Sequence, residues 1–327
     1  MPQNVLLYVV DDFANVAYSF QQSLREVGVI ANGLKHVTHG INYPKHIRKI
    51  VHDAELMGAV NSASHILYMQ STGPSMDAIP INRGRKKLFL FVGDQNYRVN
   101  PNKVLSYYKY LDMVLYQGSD LKGKSPLPEA WMLPAVDTKL LQTKQDVSFM
   151  PQSSPIRIAH YPRKAADKGS SVINKVMQRL SQDPTVSSKF IYVYSEEWRR
   201  DWEESMERLD QCDVYIEQQA YTIKHRGEER PLEEFGVTAL EAAALSKVVV
   251  TCFKSFKDYE KEFKARSEII PSGSEEELEK RLRELLSLSI DAVVEKRINT
   301  RKWVHDCHGY KATGLRLARL LGLKIKG

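Results

Sequence analysis

Short apolar runs rich in β-branched and aromatic residues alternate with helical patterns from one end of this chain to the other. The run at 4–10, NVLLYVV, is apolar throughout, which is typical of a strand buried on both faces. Residues 15–27 then repeat apolar positions at helical spacing, and Gly28 is a suitable stop. Because parallel strands need long crossover connections, this alternation predicts βαβ units around parallel sheets. Further strands are predicted at 65–70, 87–93, 113–118, 156–161, 190–195, 214–217 and 247–252.

A polar stretch with proline and serine, KQDVSFMPQSSP at 144–155, interrupts the pattern, which restarts after it. At 327 residues the chain exceeds the comfortable size of one hydrophobic core. We therefore predict two open α/β sheets in series, followed by a final amphipathic helix at 310–321. Ligands of such sheets bind outside the carboxyl ends of the strands, and the crevice between two such domains is the natural place for a site.

Composition excludes some classes of protein and narrows the expected compartment. The net charge of +7 is spread over both halves, which argues against a dedicated nucleic-acid binder. Cys212, Cys252 and Cys307 lie far apart, as expected for reduced thiols in a cytosolic protein. The apolar run at the start is too short for a signal peptide or a membrane span. We expect a cytoplasmic protein; peripheral contact with the inner face of a membrane stays open, and the basic run at 83–87 is the candidate for it.

One stretch places two carboxylates eight residues apart around a glycine. Residues 233–251, EEFGVTALEAAALSKVVVT, have the small and apolar positions of a helix that leads directly into a buried strand. Gly236 then lies at a helix N-terminus, where unpaired N–H groups favour an anion, and the Thr238 hydroxyl could assist. Glu233 precedes this helix and Glu241 lies one turn inside it. The alternative is that the two glutamates are a helix-start charge and a solvated side chain.

A second stretch supplies cations at the end of another predicted strand. In 158–171, IAHYPRKAADKGSS, the strand ends and Arg163 and Lys168 follow on the loop before Gly169 and a helix. Both this loop and the helix tip at Gly236 follow strand carboxyl ends, so they face the same side of the domain. An arginine fork and a lysine point charge together suit a diphosphate.

Three segments together resemble one enzyme family. Residues 233–241 resemble the E-x7-E motif of the retaining GT-B glycosyltransferases, specifically glycosyltransferase family 4, and 163–169 resemble its R-x4-K-G segment. Residues 131–138, WMLPAVDT, resemble the P-x-x-V-D segment that precedes the interdomain linker in that family. The three segments occur in the family order, and the resemblance covers roughly residues 110–325.

The resemblance implies a GT-B architecture, in which two Rossmann-like parallel α/β domains face a central cleft. Residues 1–148 would form the N-terminal, acceptor-side domain, and 149–308 the C-terminal, nucleotide-sugar-binding domain. The final helix, within 309–327, would pack back on the N-terminal domain, as is usual in the family.

The resemblance also implies residue roles. Arg163 and Lys168 would bind the donor diphosphate, Glu233 would contact the transferred sugar, and Glu241 would hold the ribose hydroxyls. Glu233 is the predicted catalytic residue. The predicted donor-binding residues are Arg163, Lys168, Gly169, Phe235, Gly236, Val237, Thr238 and Glu241.

The N-terminal half departs from the family pattern. It has DDFANVAYSF where the family has a glycine-rich loop after its first strand, and Val92 or Gly93 stands where the family often has a histidine. Glu234 also replaces the usual glycine before Phe235. The polar groups at 94–98 are either acceptor-side contacts or an ordinary turn. The acceptor-side candidates are Asp94, Asn96, Tyr97 and Arg98.

The resulting functional prediction is a metal-independent retaining glycosyltransferase without an organic cofactor. The donor would be a UDP-, GDP- or ADP-sugar, and the acceptor a carbohydrate, lipid-linked or other hydroxyl. Two alternatives remain open: a non-catalytic GT-B protein that binds a nucleotide sugar or a partner, and a GT-B sugar-nucleotide epimerase.

Overall fold

The computed structural model divides into two compact units, one of residues 1–137 with 308–327 and one of residues 138–307. It describes residues 3–37, 41–69, 86–93, 95–108, 110–144, 146–147, 150–151, 154–196, 201–220, 222–225, 228–231 and 236–325. The segment 144–155, which the sequence marks as a linker, begins inside the second unit. There the Thr143 hydroxyl and the Lys144 N–H both donate to the carboxylate of Asp210.

The first unit is built on a seven-stranded parallel sheet in the order β3-β2-β1-β4-β5-β6-β7. Strands β1, β4 and β5 lie at its centre and are almost wholly buried, which accounts for their continuous apolar sequences. The strands are β1 Asn4–Asp11, β2 Ile30–Val37, β3 Arg48–Lys49, β4 His65–Met69, β5 Lys87–Val92, β6 Met113–Tyr116 and β7 Glu129–Trp131.

Five α-helices lie in the described residues of the first unit, and the last of them comes from the C-terminal end of the chain. This final helix packs along the first one, and the guanidinium of Arg316 donates to the Trp131 carbonyl. The helices are α1 Val16–Glu26, α2 Asp53–Ser62, α3 Gln95–Val99, α4 Pro101–Ser106 and α11 Tyr310–Leu320.

The second unit has a five-stranded parallel sheet in the order β14-β13-β10-β8-β9, with a separate antiparallel hairpin, β11–β12. Its apolar core joins the sheet to the inner faces of α5 and α9. The strands are β8 Ile156–His160, β9 Phe190–Tyr194, β10 Val214–Ile216, β11 Thr222–His225, β12 Glu228–Pro231, β13 Val248–Thr251 and β14 Ile270–Pro271. The helices are α5 Ser170–Gln182, α6 Trp202–Asp210, α7 Val237–Ala244, α8 Phe256–Phe263, α9 Glu275–Leu286 and α10 Ile290–His308.

The prediction of two parallel α/β sheets is confirmed, while several elements were missed. Strand β2 has the sequence IANGLKHV, whose Asn, Gly and Lys hide the strand pattern. Its Gly33 is required by packing, because a Cβ there would lie 2.4 Å from Ile47 Cγ2. The hairpin β11–β12 was also unforeseen. None of the helices in the described part of the chain is both long and apolar enough to span a membrane.

Candidate functional site

The loop that carries Lys168 is fixed against the end of strand β10. Gly169 has φ +66°, and a Cβ at this position would lie 2.6 Å from the carbonyl carbon of Gln219. The Gln219 N–H donates to the Lys168 carbonyl at 2.8 Å. Glycine is therefore needed here twice over, for the left-handed backbone and for the close approach, and this holds Lys168 at the carboxyl end of the sheet.

His160, at the end of β8, also fixes the position of this loop. Its ring is fully buried, with Nδ1 2.8 Å from the Ile216 carbonyl and Nε2 2.8 Å from the Ser170 hydroxyl. Burial lowers the pKa of His160 to about 4, so the imidazole is neutral at physiological pH. His160 thus connects β8, β10 and the start of α5, and it is a packing residue.

Lys168 lies at the N-terminus of α7, as the two sequence stretches predicted. Its ammonium is 3.0 Å from Glu217 Oε1 and 2.7 Å from Gln218 Oε1. The Gly236 N–H donates to the same Glu217 oxygen at 2.8 Å. The loop before α5 and the tip of α7 therefore share one carboxylate, which sequence analysis did not single out.

Glycine at 236 and small residues in α7 make this convergence feasible. A Cβ on Gly236 would lie 2.6 Å from Glu217 Oε1 and 3.8 Å from the Lys168 ammonium nitrogen. Residues 239 to 244 of α7, ALEAAA, are all buried, so the helix lies close on the sheet. Gly236 thus occupies a position where the backbone lies within contact distance of charged side chains.

Glu241 is buried within the second unit. The residue is only 8% exposed, and its Oε1 accepts from the Trp202 indole N–H at 2.7 Å. The alternative interpretation of Glu241 as a solvated side chain is therefore wrong. Burial raises the pKa of Glu241 to about 7, although the bond from Trp202 acts in the opposite direction.

This pKa predicts a stability profile that depends on Glu241. Its folded-state pKa lies above the ordinary 4.5, so between these values the folded chain holds more protons than the unfolded chain. Stability is then lost as pH rises through about 7. We expect Glu241→Gln to remove this loss, worth up to roughly 3 kcal/mol above pH 7. Thermal unfolding from pH 4 to 8 measures it.

The exposed glutamate Glu260 of α8 provides the matched control. Glu260→Gln should follow the wild-type profile at every pH. A Glu241→Gln profile parallel to that of the wild type would show that Glu241 does not carry the raised pKa.

The remaining predicted donor residues lie on the loop before α5, in the first turn of α7, or outside the described residues. Arg163 is exposed on the loop before α5, Thr238 is exposed in the first turn of α7, and Val237 is partly exposed. Glu233 and Phe235 lie outside the described residues.

The acceptor-side candidates differ in their surroundings. The segment is the short helix α3, where Asn96 is exposed but Tyr97 is fully buried. Arg98 is also buried, and its guanidinium pairs with the equally buried Asp120 at 2.8 Å. Tyr97 and Arg98 thus hold the first unit together, and Asn96 keeps an accessible side chain. Asp94 lies outside the described residues.

The residue that sequence reasoning missed is Glu217. It follows a strand of apolar residues and is 1% exposed, with Oε2 3.1 Å from the Thr251 hydroxyl. A carboxylate placed directly after a buried strand, in register with the other strand ends, was the signal available. In the described part of the chain, no set of three His, Cys, Asp or Glu side chains is grouped to hold a metal ion.

Two parallel α/β units of this kind give the chain the GT-B fold of glycosyltransferases. HepE from Anabaena, solved in complex with UDP and glucose, matches with a TM-score of 0.66 and 11% identity over 98% of this chain and 100% of that chain. A glycosyltransferase from Rickettsia africae ESF-5 matches with a TM-score of 0.60 and 11% identity over 98% of both chains.

Sucrose-phosphate synthase from Thermosynechococcus elongatus is similar in fold as well. It matches with a TM-score of 0.58 and 12% identity, over 97% of this chain and 98% of that chain. No protein-family model and no curated sequence matches this chain. At these identities the similarity shows the fold alone.

Proposed function

We propose that this chain is a retaining glycosyltransferase that moves a sugar from a nucleotide diphosphate sugar to an acceptor hydroxyl without a metal ion. The observation that carries the proposal is the position of the Lys168 ammonium at the N-terminus of α7, next to the Gly236 N–H. A cation and a helix tip beside the carboxyl ends of parallel strands suit a phosphate.

The diphosphate would be held by the groups that surround this helix tip. Lys168 contributes a point charge, Arg163 an exposed guanidinium on the same loop, and the α7 tip its amides and the Thr238 hydroxyl. These groups stabilise the negative charge that grows on the leaving nucleoside diphosphate, the electrostatic effect that usually dominates such catalysis. The protein's own cations take the role that a metal ion has elsewhere.

The carboxylates have separate roles in the proposal. Glu241 would hold ribose hydroxyls, taking a hydroxyl donor in place of the Trp202 indole N–H. Glu233 would contact the transferred sugar next to the reacting carbon. The leaving phosphate would take the proton of the incoming hydroxyl, so that no protein nucleophile is required. Asn96, on α3 of the first unit, is the acceptor-side candidate that keeps an exposed side chain.

The ligands bound in a structure of similar fold support a nucleotide-sugar donor. HepE has been solved with UDP, with UDP and glucose, and with UDP-glucose. For this chain the donor would be a UDP-, GDP- or ADP-sugar. The acceptor would be a carbohydrate, a lipid-linked molecule or another hydroxyl compound.

The direct test is a screen of donors followed by turnover. We expect one of UDP-, GDP- or ADP-sugars to raise the thermal unfolding midpoint and, with a hydroxyl acceptor, to release nucleoside diphosphate. Glu233→Gln should bind the same donor and release less product. If no donor shifts the midpoint, the proposed site does not bind nucleotide sugars.

A non-catalytic nucleotide-sugar-binding protein is the second candidate, and one observation favours it. The loop after β1 closes on its own carboxylate, because Asp12 accepts from the Ala17 and Tyr18 N–H groups at the start of α1. These N–H groups, which a glycine-rich loop would offer to a ligand, thus already donate to Asp12. Donor binding without any release of nucleoside diphosphate, and without an effect of Glu233→Gln, would favour this candidate.

A further inference from the structure

A buried carboxylate already occupies the donors at the tip of α7. Glu217 accepts at Oε1 from the Gly236 N–H and from the Lys168 ammonium, while Oε2 accepts from the Thr251 hydroxyl. The group is 1% exposed and is held from α7, from β13 and from the loop before α5. Two of these donors are the ones that the proposed function assigns to the diphosphate.

Lys168 and Glu217 therefore form an ion pair at this tip. Lys168 is 30% exposed at its side chain, whereas its partner Glu217 is buried. The carboxylate offsets part of the lysine charge from inside, so Lys168 attracts a ligand together with the helix tip and with Arg163 on the exposed loop. An anion that enters this site meets a fixed negative charge behind the lysine.

We propose, resting on the proposed function, that Glu217 is a specificity-determining residue that makes the site favour the nucleotide diphosphate sugar over the free nucleoside diphosphate. When a diphosphate binds, Oε1 yields the Gly236 N–H to a phosphate oxygen, and Oε2 stays on the Thr251 hydroxyl. The carboxylate thus remains beside the phosphates as a tethered charge, which acts against each further negative charge on the ligand.

The free nucleoside diphosphate and the nucleotide diphosphate sugar differ in their negative charge. A terminal phosphate has a second pKa of about 6, so at pH above 7 the free nucleoside diphosphate carries one more negative charge than its sugar ester. Because transfer converts the ester into the free diphosphate, the reaction itself increases the repulsion from Glu217. Product leaves, and Glu217 Oε1 again accepts from the Gly236 N–H.

The experiment compares paired ligands on wild type and on Glu217→Gln at pH 7.5. The pairs are UDP with UDP-glucose, GDP with GDP-mannose and ADP with ADP-glucose, and calorimetry is done with the pair that binds the wild type most tightly. The glutamine keeps an oxygen for Gly236 and Lys168 but removes the charge. We expect affinity for the free diphosphate to rise about tenfold and for the sugar ester about threefold.

The controls separate a charge effect from a structural one. Glu217→Ala, which removes the group entirely, should change the affinity ratio in the same direction. Glu279→Gln, which removes a carboxylate paired with Arg179 between α5 and α9, should leave both affinities as in the wild type. Thermal midpoints of all variants are measured so that binding is compared between folded proteins.

The outcomes decide between separate failures. A fall in both affinities, or an equal change in both, overturns the role of Glu217 while leaving the donor site intact. If no pair binds the wild type, the proposed function itself fails, and the inference fails with it. A changed ratio in the expected direction supports the internal carboxylate as the source of discrimination.

Discussion

A Lys168→Met variant is expected to bind the nucleotide diphosphate sugar about 100-fold more weakly than the wild type, a loss of roughly 3 kcal/mol. The methionine keeps the length of the side chain and removes the ammonium that lies at the tip of α7. Removal of the ammonium also leaves the Glu217 carboxylate buried without its cation. This carboxylate then repels the anionic ligand. Calorimetry with the donor identified by the screen measures the effect.

The same substitution should destabilise the second unit, and a double variant separates the two effects. Lys168→Met with Glu217→Gln removes both charges, so its thermal midpoint should return toward that of the wild type. Donor binding should recover only the part lost to the unpaired carboxylate and stay weaker than in the wild type. Lys175→Met removes an exposed lysine paired with Glu275 on α9, and it should alter neither property. Donor affinity unchanged in Lys168→Met would place the diphosphate elsewhere.

Gly314→Ala is expected to destabilise the first unit by about 3 kcal/mol. The added methyl group would overpack a tight helix contact, and no small adjustment could relieve it. A Cβ on Gly314 would lie 2.0 Å from the Ser23 carbonyl oxygen and 3.1 Å from Val27 Cγ1. The obstacle is backbone of α1, so α11 must move away as a whole. Hydrogen exchange of the α1 and α11 peptides reports the loss locally.

Gly58→Ala is the matched control, since it makes the same change within another helix of the same unit. A Cβ on Gly58, in α2, meets no atom within 4 Å. Alanine is the better helix former by about 1 kcal/mol, so this variant should be neutral or slightly more stable. Equal behaviour of the two variants would mean that α11 does not pack tightly on α1.

The buried strands of the second unit followed closely from the sequence, whereas its hairpin β11–β12 did not. The apolar runs at β8, β10 and β13 sit in the interior of a parallel sheet, where burial on both faces leaves a continuous hydrophobic signal. Helix α9 lies at Glu275–Leu286, with Ser274 capping its first turn. By contrast β2, with its Asn, Gly and Lys, is a strand because its neighbours β1 and β3 pair with it.

In the candidate site, too, the local sequence predicted some features and tertiary packing decided others. The positions of the R-x4-K-G and E-F-G segments after predicted strands were enough to predict that Lys168 meets the tip of α7, because parallel strands deliver their following loops to one edge. Tyr97 and Arg98 were predicted as accessible polar groups of a loop. Whether a side chain points outward depends on what lies next to it, and the buried Asp120 draws Arg98 inward.

The sequence by itself determined the parallel α/β class and the elements whose loops carry the cations, because hydrophobic periodicity and turn residues are local properties. Only the tertiary structure decided that Glu217 shares its carboxylate with Lys168 and Gly236, and that Glu241 is buried against Trp202. These groups are 19 to 49 residues apart along the chain, and the free energy of a buried charge depends on the partners that folding brings to it.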